Sequence, residues 1–198
     1  MHVKAPTLRP DPRYMEAFAT LMKRLEDAIG SAASKPIPVY VAGGAALHLY
    51  TGARYSSDVD ARIGLPKVAL PADLQVAYEG PDGLPRVLYY DTAYNESFAL
   101  LHEDVHADSI AIKVPGVNAR RLDVRLFSPV DLAVSKLSRF AAHDQEDMMA
   151  LANAGLIDAD SLRRRAEEAL PGYVGHVERI RTSLDIACRK VARVRAQR

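Results

Sequence analysis

The chain has 198 residues, 48% of them hydrophobic, which supports one domain of moderate size, alone or with an added helical lobe, and excludes a disordered polymer. Its 26 basic and 25 acidic side chains leave a formal net charge of +1, so no global field draws it to nucleic acid or membrane, and electrostatic function must come from local clusters. The single cysteine, Cys188, excludes an internal disulfide and multi-cysteine metal sites; with no signal-like apolar run in MHVKAPTLRPDPRY and no membrane-length segment, the expectation is a soluble, cytoplasmic protein.

Asp11 followed by Pro12 opens a helix, a cap residue before proline at the first helical position. Met15, Phe18, Met22, Leu25 and Ile29 then form one apolar stripe at three- and four-residue steps, and Gly30 is its expected stop. After the linker SAASKPIP, residues 39–41 (VYV) read as a short buried strand, Gly43-Gly44 as a sharp turn, and residues 45–51 (AALHLYT) as a helix ended by Gly52. Residues 59–63 return as a strand, Pro66 and Pro71 mark a loop, and residues 86–90 (RVLYY) are the next strand. Residues 109–114 (SIAIKV) and 121–127 (RLDVRLF) alternate as strands do and suggest a hairpin around PGVNA.

From Ser128 the pattern becomes helical. Ser128-Pro129 with Asp131 is a start signal, and Leu132, Lys136, Leu137, Phe140, Met148 and Leu151 follow helical steps over two helices. Gly155 and the Asp158–Asp160 stretch break the pattern, SLRRRAEEAL resumes it until Pro171-Gly172, and a basic helix runs from about 173 to about 195. The fold class is therefore mixed α/β (α+β), with an α/β part and its leading helix over 1–127 and a C-terminal helical lobe over 128–198.

Asp58 and Asp60 are the feature that points to chemistry. Residues i and i+2 of a strand share a face, and two adjacent carboxylates disfavour each other's ionisation unless a cation sits between them. Magnesium (or manganese) suits such hard oxygen ligands and completes its shell with water and phosphate oxygens. Gly44 lies sixteen residues before Asp60 in the strand–Gly-Gly–helix unit VYVAGGAALHL, where backbone can approach a phosphate and a helix N-terminus offers free N–H donors. One part would hold phosphates and the other the metal bridging them, and nucleotidyl transfer asks for little more than such positioning and charge neutralisation.

In GGAALHLYTGARYSSDVDARI the sequence resembles the DNA polymerase beta-like nucleotidyltransferase superfamily, most closely its small bacterial branch similar to the abortive-infection toxins of toxin–antitoxin systems. Gly43, Gly44, Leu47, Arg54, Ser56, Asp58 and Asp60 fall into that pattern. A second segment, SPVDLAVSKLSRFAAHDQED, is similar to the helix that carries Ser-Lys before an acidic residue, with Lys136 and Asp144 in those places. The resemblance spans roughly residues 36–158.

The resemblance implies a nucleotidyltransferase-like mixed sheet flanked by helices. Asp58 and Asp60 would bind metal, Gly43 and Gly44 would cradle a triphosphate, Ser56 or Ser57 would add a hydroxyl, and Arg54 would pair with phosphate or brace the loop. Lys136 would reach the triphosphate as a point charge, and Asp144 would orient Lys136 or a nucleophile. A third carboxylate belongs on a neighbouring strand: Asp123 is the first candidate and Asp108 the alternative, while some toxin branches lack one.

The implied reaction moves a nucleoside monophosphate from a magnesium-bound nucleoside triphosphate to a hydroxyl acceptor, a tRNA end or a protein side chain, with a cognate antitoxin as a further partner. A catalytically weak or inactive regulatory protein of the same fold, and a small-molecule nucleotidyltransferase, are the rival readings. Arg179 to Arg198 holds seven basic residues against one acid, Asp185, and is either a solvated face or an RNA contact. Plainer roles suit the remaining polar residues: His48 at the core edge, HEDVHAD as a polar loop, Glu146 and Asp147 as a solvated acidic turn, and Cys188 in packing.

Overall fold

The computed structural model describes residues 6–29, 34–65, 69–71 and 73–196. Gly30, Pro66, part of the SAASKPIP linker and the last two residues of the basic tail lie outside them. The fold is mixed α+β and divides into two compact units. One comprises Leu8–Tyr94 and Ser109–Leu126; the other is built chiefly from Asn95–Asp108 and Phe127–Arg198.

The first unit holds both sheets. Helix α1 (Pro12–Ile29) buries Phe18, Met22, Leu25 and Ile29 of the stripe its spacing predicts, together with Tyr14 and Leu21, and leaves Met15 half-buried. Strand β1 (Ile37–Val41) buries Ile37, Val39 and Val41 and turns Pro38 and Tyr40 to the other face. Helix α2 (Gly43–Thr51) follows at once and ends at Gly52, which adopts the left-handed cap conformation with φ 66°.

The acidic pair spans a break. Instead of one strand over 59–63, the chain forms β2 (Asp58–Val59) and β3 (Ala61–Ile63), with Asp60 between them. β2 pairs in parallel with β5 (Pro85–Tyr90), whereas β3 pairs antiparallel with β1. The chain thus changes sheets at Asp60, whose carbonyl accepts the Ala42 N–H at 2.8 Å, one rung past the β1–β3 pairing. The Tyr90 hydroxyl donates to the Ala61 carbonyl at 2.6 Å and ties the two sheets together beside this corner.

The larger sheet has the order β3-β1-β7-β6, with β6 (Ile110–Ala111) and β7 (Leu122–Leu126); the smaller is β2-β5-β4, with β4 (Gln75–Glu79). The 109–114/121–127 hairpin is present, though its first strand keeps only two residues. Strand β4 has no counterpart in the sequence expectations, because only Val76 of its five residues is fully buried and the apolar alternation is faint.

The second unit is helical. Helix α3 (Pro129–Ser135) is capped by Ser128, whose Oγ accepts the Asp131 N–H at 3.2 Å, with proline at the first helical positions. Helix α4 (Ala142–Asn153), α5 (Ala159–Ala169) capped by Asp158, a short 3₁₀ turn (Leu170–Gly172) and α6 (Val177–Ala196) follow. Leu132, Leu137, Met148, Leu151, Leu162, Ile180, Leu184 and Val191 form its core. No described helix is long and apolar enough to cross a membrane.

Candidate functional site

The residues of the first unit converge on the turn between β1 and α2. Gly43 sits at φ +58°, and a Cβ there would lie 1.9 Å from Asp60 Oδ2, so the carboxylate of Asp60 rests directly on the glycine backbone. A Cβ on Gly44 would lie 2.4 Å from Ser56 Oγ and 3.1 Å from Arg54 Nη1. The glycines leave the room in which an acid, a hydroxyl and a guanidinium close on one helix N-terminus. Ala42 precedes that helix with no side-chain cap, and its first turn carries no acidic residue, so no side chain of the helix's own first turn offsets the partial positive charge of its N-terminus.

Ser56 is 5% exposed and donates its hydroxyl to Asp58 Oδ1 at 2.6 Å. That bond occupies one oxygen of Asp58 and fixes the carboxylate's rotamer, so Ser56 acts on the acid and the exposed Ser57 carries the second hydroxyl. Val59 and Ala61 are buried while Asp58 and Asp60 are half-exposed, and both acids reach the same turn, Asp60 at Gly43 and Asp58 through Ser56 at Gly44.

His48 builds the support. Its ring is fully buried; Nε2 accepts the Asp11 N–H at 3.1 Å, and Nδ1 faces the carbonyls of Ala53 at 2.7 Å and Arg54 at 3.2 Å. That pattern requires a neutral ring protonated at Nδ1, and burial pulls the imidazole pKa below its ordinary value against those carbonyls. Tyr14 packs against it with ring centroids 4.1 Å apart and the rings tilted by 41°. The Tyr14 hydroxyl is buried with no hydrogen-bond partner, and burial, then Tyr78 and Asp58, push its pKa well up.

Asp123 is not brought to this pair. It faces Pro38 in the β1–β7 register, whereas Asp60 lies beyond Val41 at the other end of β1, about 13 Å along the strand direction. Its carboxylate accepts from Arg125 Nη1 at 3.2 Å. Asp108 belongs to the second unit and is held by Arg165 at 2.7 Å, which also binds the buried Asp131 at 2.6 Å. Asp91 is the carboxylate sequence reasoning missed: it follows Tyr90, the partner of Val59, and its N–H donates to the Val59 carbonyl at 3.1 Å. Only strand register reveals that neighbour; its side chain caps its own turn through the Ala93 N–H at 2.8 Å.

In the second unit, Lys136 is 6% exposed and donates to Asp147 Oδ2 at 2.6 Å, with Asp144 Oδ1 farther off at 3.9 Å. Asp147 is therefore a buried counter-ion and not a solvated turn residue, a correction to the sequence expectation. The partner lies eleven residues on, across a bend between two helices, where no helical spacing points to it. Asp144 takes two bonds from Arg139, at 2.7 and 2.8 Å, and one from the Ala141 N–H at 3.0 Å. Burial raises its carboxyl pKa, but those donors and the Lys136 charge outweigh it and hold the group below the ordinary carboxylate value. Between these residues Phe140 adopts φ 51°, a strained backbone for a bulky side chain.

The polar loop at 102–108 stays within ion pairs: His106 Nε2 meets Glu96 at 2.9 Å, and His102 lies 3.8 Å from Glu168. Cys188 is buried, as packing predicts. Among the described residues no group of three or more His, Cys, Asp or Glu side chains is arranged to hold a metal.

A mixed α+β fold in which a strand–Gly-Gly–helix turn meets an Asp-x-Asp pair defines a chain of the nucleotidyltransferase class. The chain belongs to the family described as "Nucleotidyltransferase of unknown function (DUF6036)", whose model matches residues 16–193. No curated protein matches the chain, and no solved structure matches it.

Proposed function

We propose that the protein transfers a nucleoside monophosphate from a nucleoside triphosphate to a hydroxyl acceptor, with Asp58 and Asp60 as the acidic pair of the site. The observation that carries this reading is the closure of Asp60 on Gly43, and of the Ser56–Asp58 bond on Gly44, at one helix N-terminus. The donor chemistry fits magnesium or manganese, which commonly take one or two protein carboxylates and fill the shell with water and substrate phosphate. Asp58 and Asp60 would hold the ion, which when bound supplies charge neutralisation to the phosphates.

The chain's own groups do the rest. N–H donors of α2 receive the phosphates at Gly43 and Gly44, Ser56 keeps Asp58 in a single rotamer, and Arg54 adds positive charge beside Gly44. The acceptor oxygen forms a bond to the α-phosphorus, the bond to the pyrophosphate oxygen breaks, and the hydroxyl proton is released. In this reading Lys136 would reach the triphosphate as a point charge and Asp144 would orient Lys136 or the nucleophile, and a tRNA end or a protein side chain would be the acceptor. The exposed arginines of α6, among them Arg179, Arg181 and Arg189, favour an RNA acceptor and fit a toxin held by a cognate antitoxin.

The remote position of Asp123 favours a second reading: a chain that binds the nucleotide and transfers nothing. One experiment separates them. The protein is incubated with magnesium, total tRNA or cell lysate, and triphosphate labelled at the α- or the γ-position. Transfer of α-label alone, lost in Asp58→Ala and Asp60→Ala, is the expected result. Transfer of γ-label contradicts nucleotidyl transfer, and nucleotide binding without any transfer supports the second reading.

A further inference from the structure

The smaller sheet exposes an apolar face where a sheet centre is normally covered. Five large hydrophobic side chains are exposed among the described residues, and three of them, Leu84, Val87 and Tyr89, lie on β5 or the turn leading into it. Tyr89 is 41% and Val87 44% exposed on the central strand of three, while Leu88 and Tyr90 on its other face are buried. Exposed apolar surface gathered in one place marks a binding surface more often than chance.

The strand register places this face beside the acid pair. Tyr89 pairs directly with Asp58 on one side and with Gln75 on the other, so acid, aromatic ring and amide stand in one row with side chains on the same face. The Tyr89 N–H donates to the Ser57 carbonyl at 2.9 Å, which fixes the strand against the loop carrying Ser56. Val87 and Ala77 form the next row, away from the acid pair.

We propose that Tyr89, with Val87 behind it, is the platform on which the base of the nucleoside triphosphate stacks, with Gln75 at its edge. The proposal rests on the nucleotide site described above. With phosphates held at Gly43, Gly44 and Asp58, β5 is the strand that lies directly beside the acid, with Tyr89 opposite Asp58, and it offers the surface on which sugar and base can extend. An aromatic ring offers every base a stacking face, worth a factor of roughly 10 in affinity. The Gln75 amide, with one donor and one acceptor group, can distinguish base edges.

The chain contains no tryptophan, so Tyr89→Trp is a sole reporter placed on the platform. The variant is titrated, with magnesium, against each common nucleoside triphosphate and against inorganic tripolyphosphate, which has the phosphates and no base. Quenching by at least one nucleotide and none by tripolyphosphate is expected. Calorimetry of Tyr89→Ala should show roughly 10-fold weaker nucleotide binding, with tripolyphosphate affinity unchanged and Tyr89→Phe close to the parent. Nucleotide affinity unaffected by Tyr89→Ala overturns the platform while leaving the phosphate site intact. A parent protein that binds neither nucleotide nor tripolyphosphate overturns the underlying site as well.

Discussion

Gly43 and Asp60 occupy space that only a glycine leaves open. A methyl group at 43 would press on the Asp60 carboxylate and sit on a backbone of positive φ, so Gly43→Ala should destabilise the protein by about 1–3 kcal/mol in urea unfolding and abolish nucleotide binding. Gly44→Ala meets first the Ser56 side chain and then Arg54, on a backbone without positive φ; it should cost less stability yet still weaken binding, because Ser56 must release Asp58. His48 gives a pH signature. Its folded pKa lies below the unfolded value of ~6.5, so between the two the unfolded chain holds more protons. Stability therefore falls as pH drops below about 6.5 and levels off once the folded ring also protonates. Urea midpoints at pH 7.5 and 5.5 should differ more for the parent than for His48→Gln; equal differences would show that His48 does not set the pH dependence. The glycines and the acid pair were legible in the sequence because backbone geometry and charge repulsion restrict what such residues do. The partnership of Lys136 with Asp147 was not, because it joins two helices across a bend.

At the scale of elements, two contacts hold the arrangement. Tyr90 bridges the sheets at the corner where the acid pair lies, and burial with the nearby Asp91 pushes its phenol pKa up to about 12. Tyr90→Phe should cost about 1–2 kcal/mol by leaving the Ala61 carbonyl unpaired, and should impair nucleotide binding more than that destabilisation alone accounts for. Lys136 and Asp147 join α3 to α4 through a buried ion pair. Lys136→Ala should cost about 3–5 kcal/mol, whereas Lys136→Met with Asp147→Leu should restore most of it. Activity that stays absent in the refolded double variant, measured by label transfer, would assign Lys136 to the substrate as well as to the fold. The amphipathic α1, the strand–turn–helix unit and the C-terminal helices were readable from periodicity and caps. Strand β4 and the sheet change at Asp60 were not, since pairing register and a strand with one buried side chain leave little trace in composition.

For the whole molecule, a net charge of +1 means that any nucleic-acid binding must be local, and α6 is where the charge gathers. If RNA is the acceptor, Arg189→Glu with Arg193→Glu should weaken tRNA binding and lower the slope of log K against log salt by roughly 0.7 for each phosphate left without its cation; an unchanged slope would assign that helix to another role. In the proposed function the Gly43-Gly44 turn and the Asp58–Asp60 pair together form one metal-dependent triphosphate site. Calorimetric titration of a non-hydrolysable nucleoside triphosphate, with and without magnesium, tests this in the parent, Asp58→Asn and Asp60→Asn. Binding that magnesium strengthens in the parent and no longer strengthens in either variant is expected, with circular dichroism unchanged. Binding indifferent to magnesium in the parent, or still strengthened by it in both variants, would contradict a shared site.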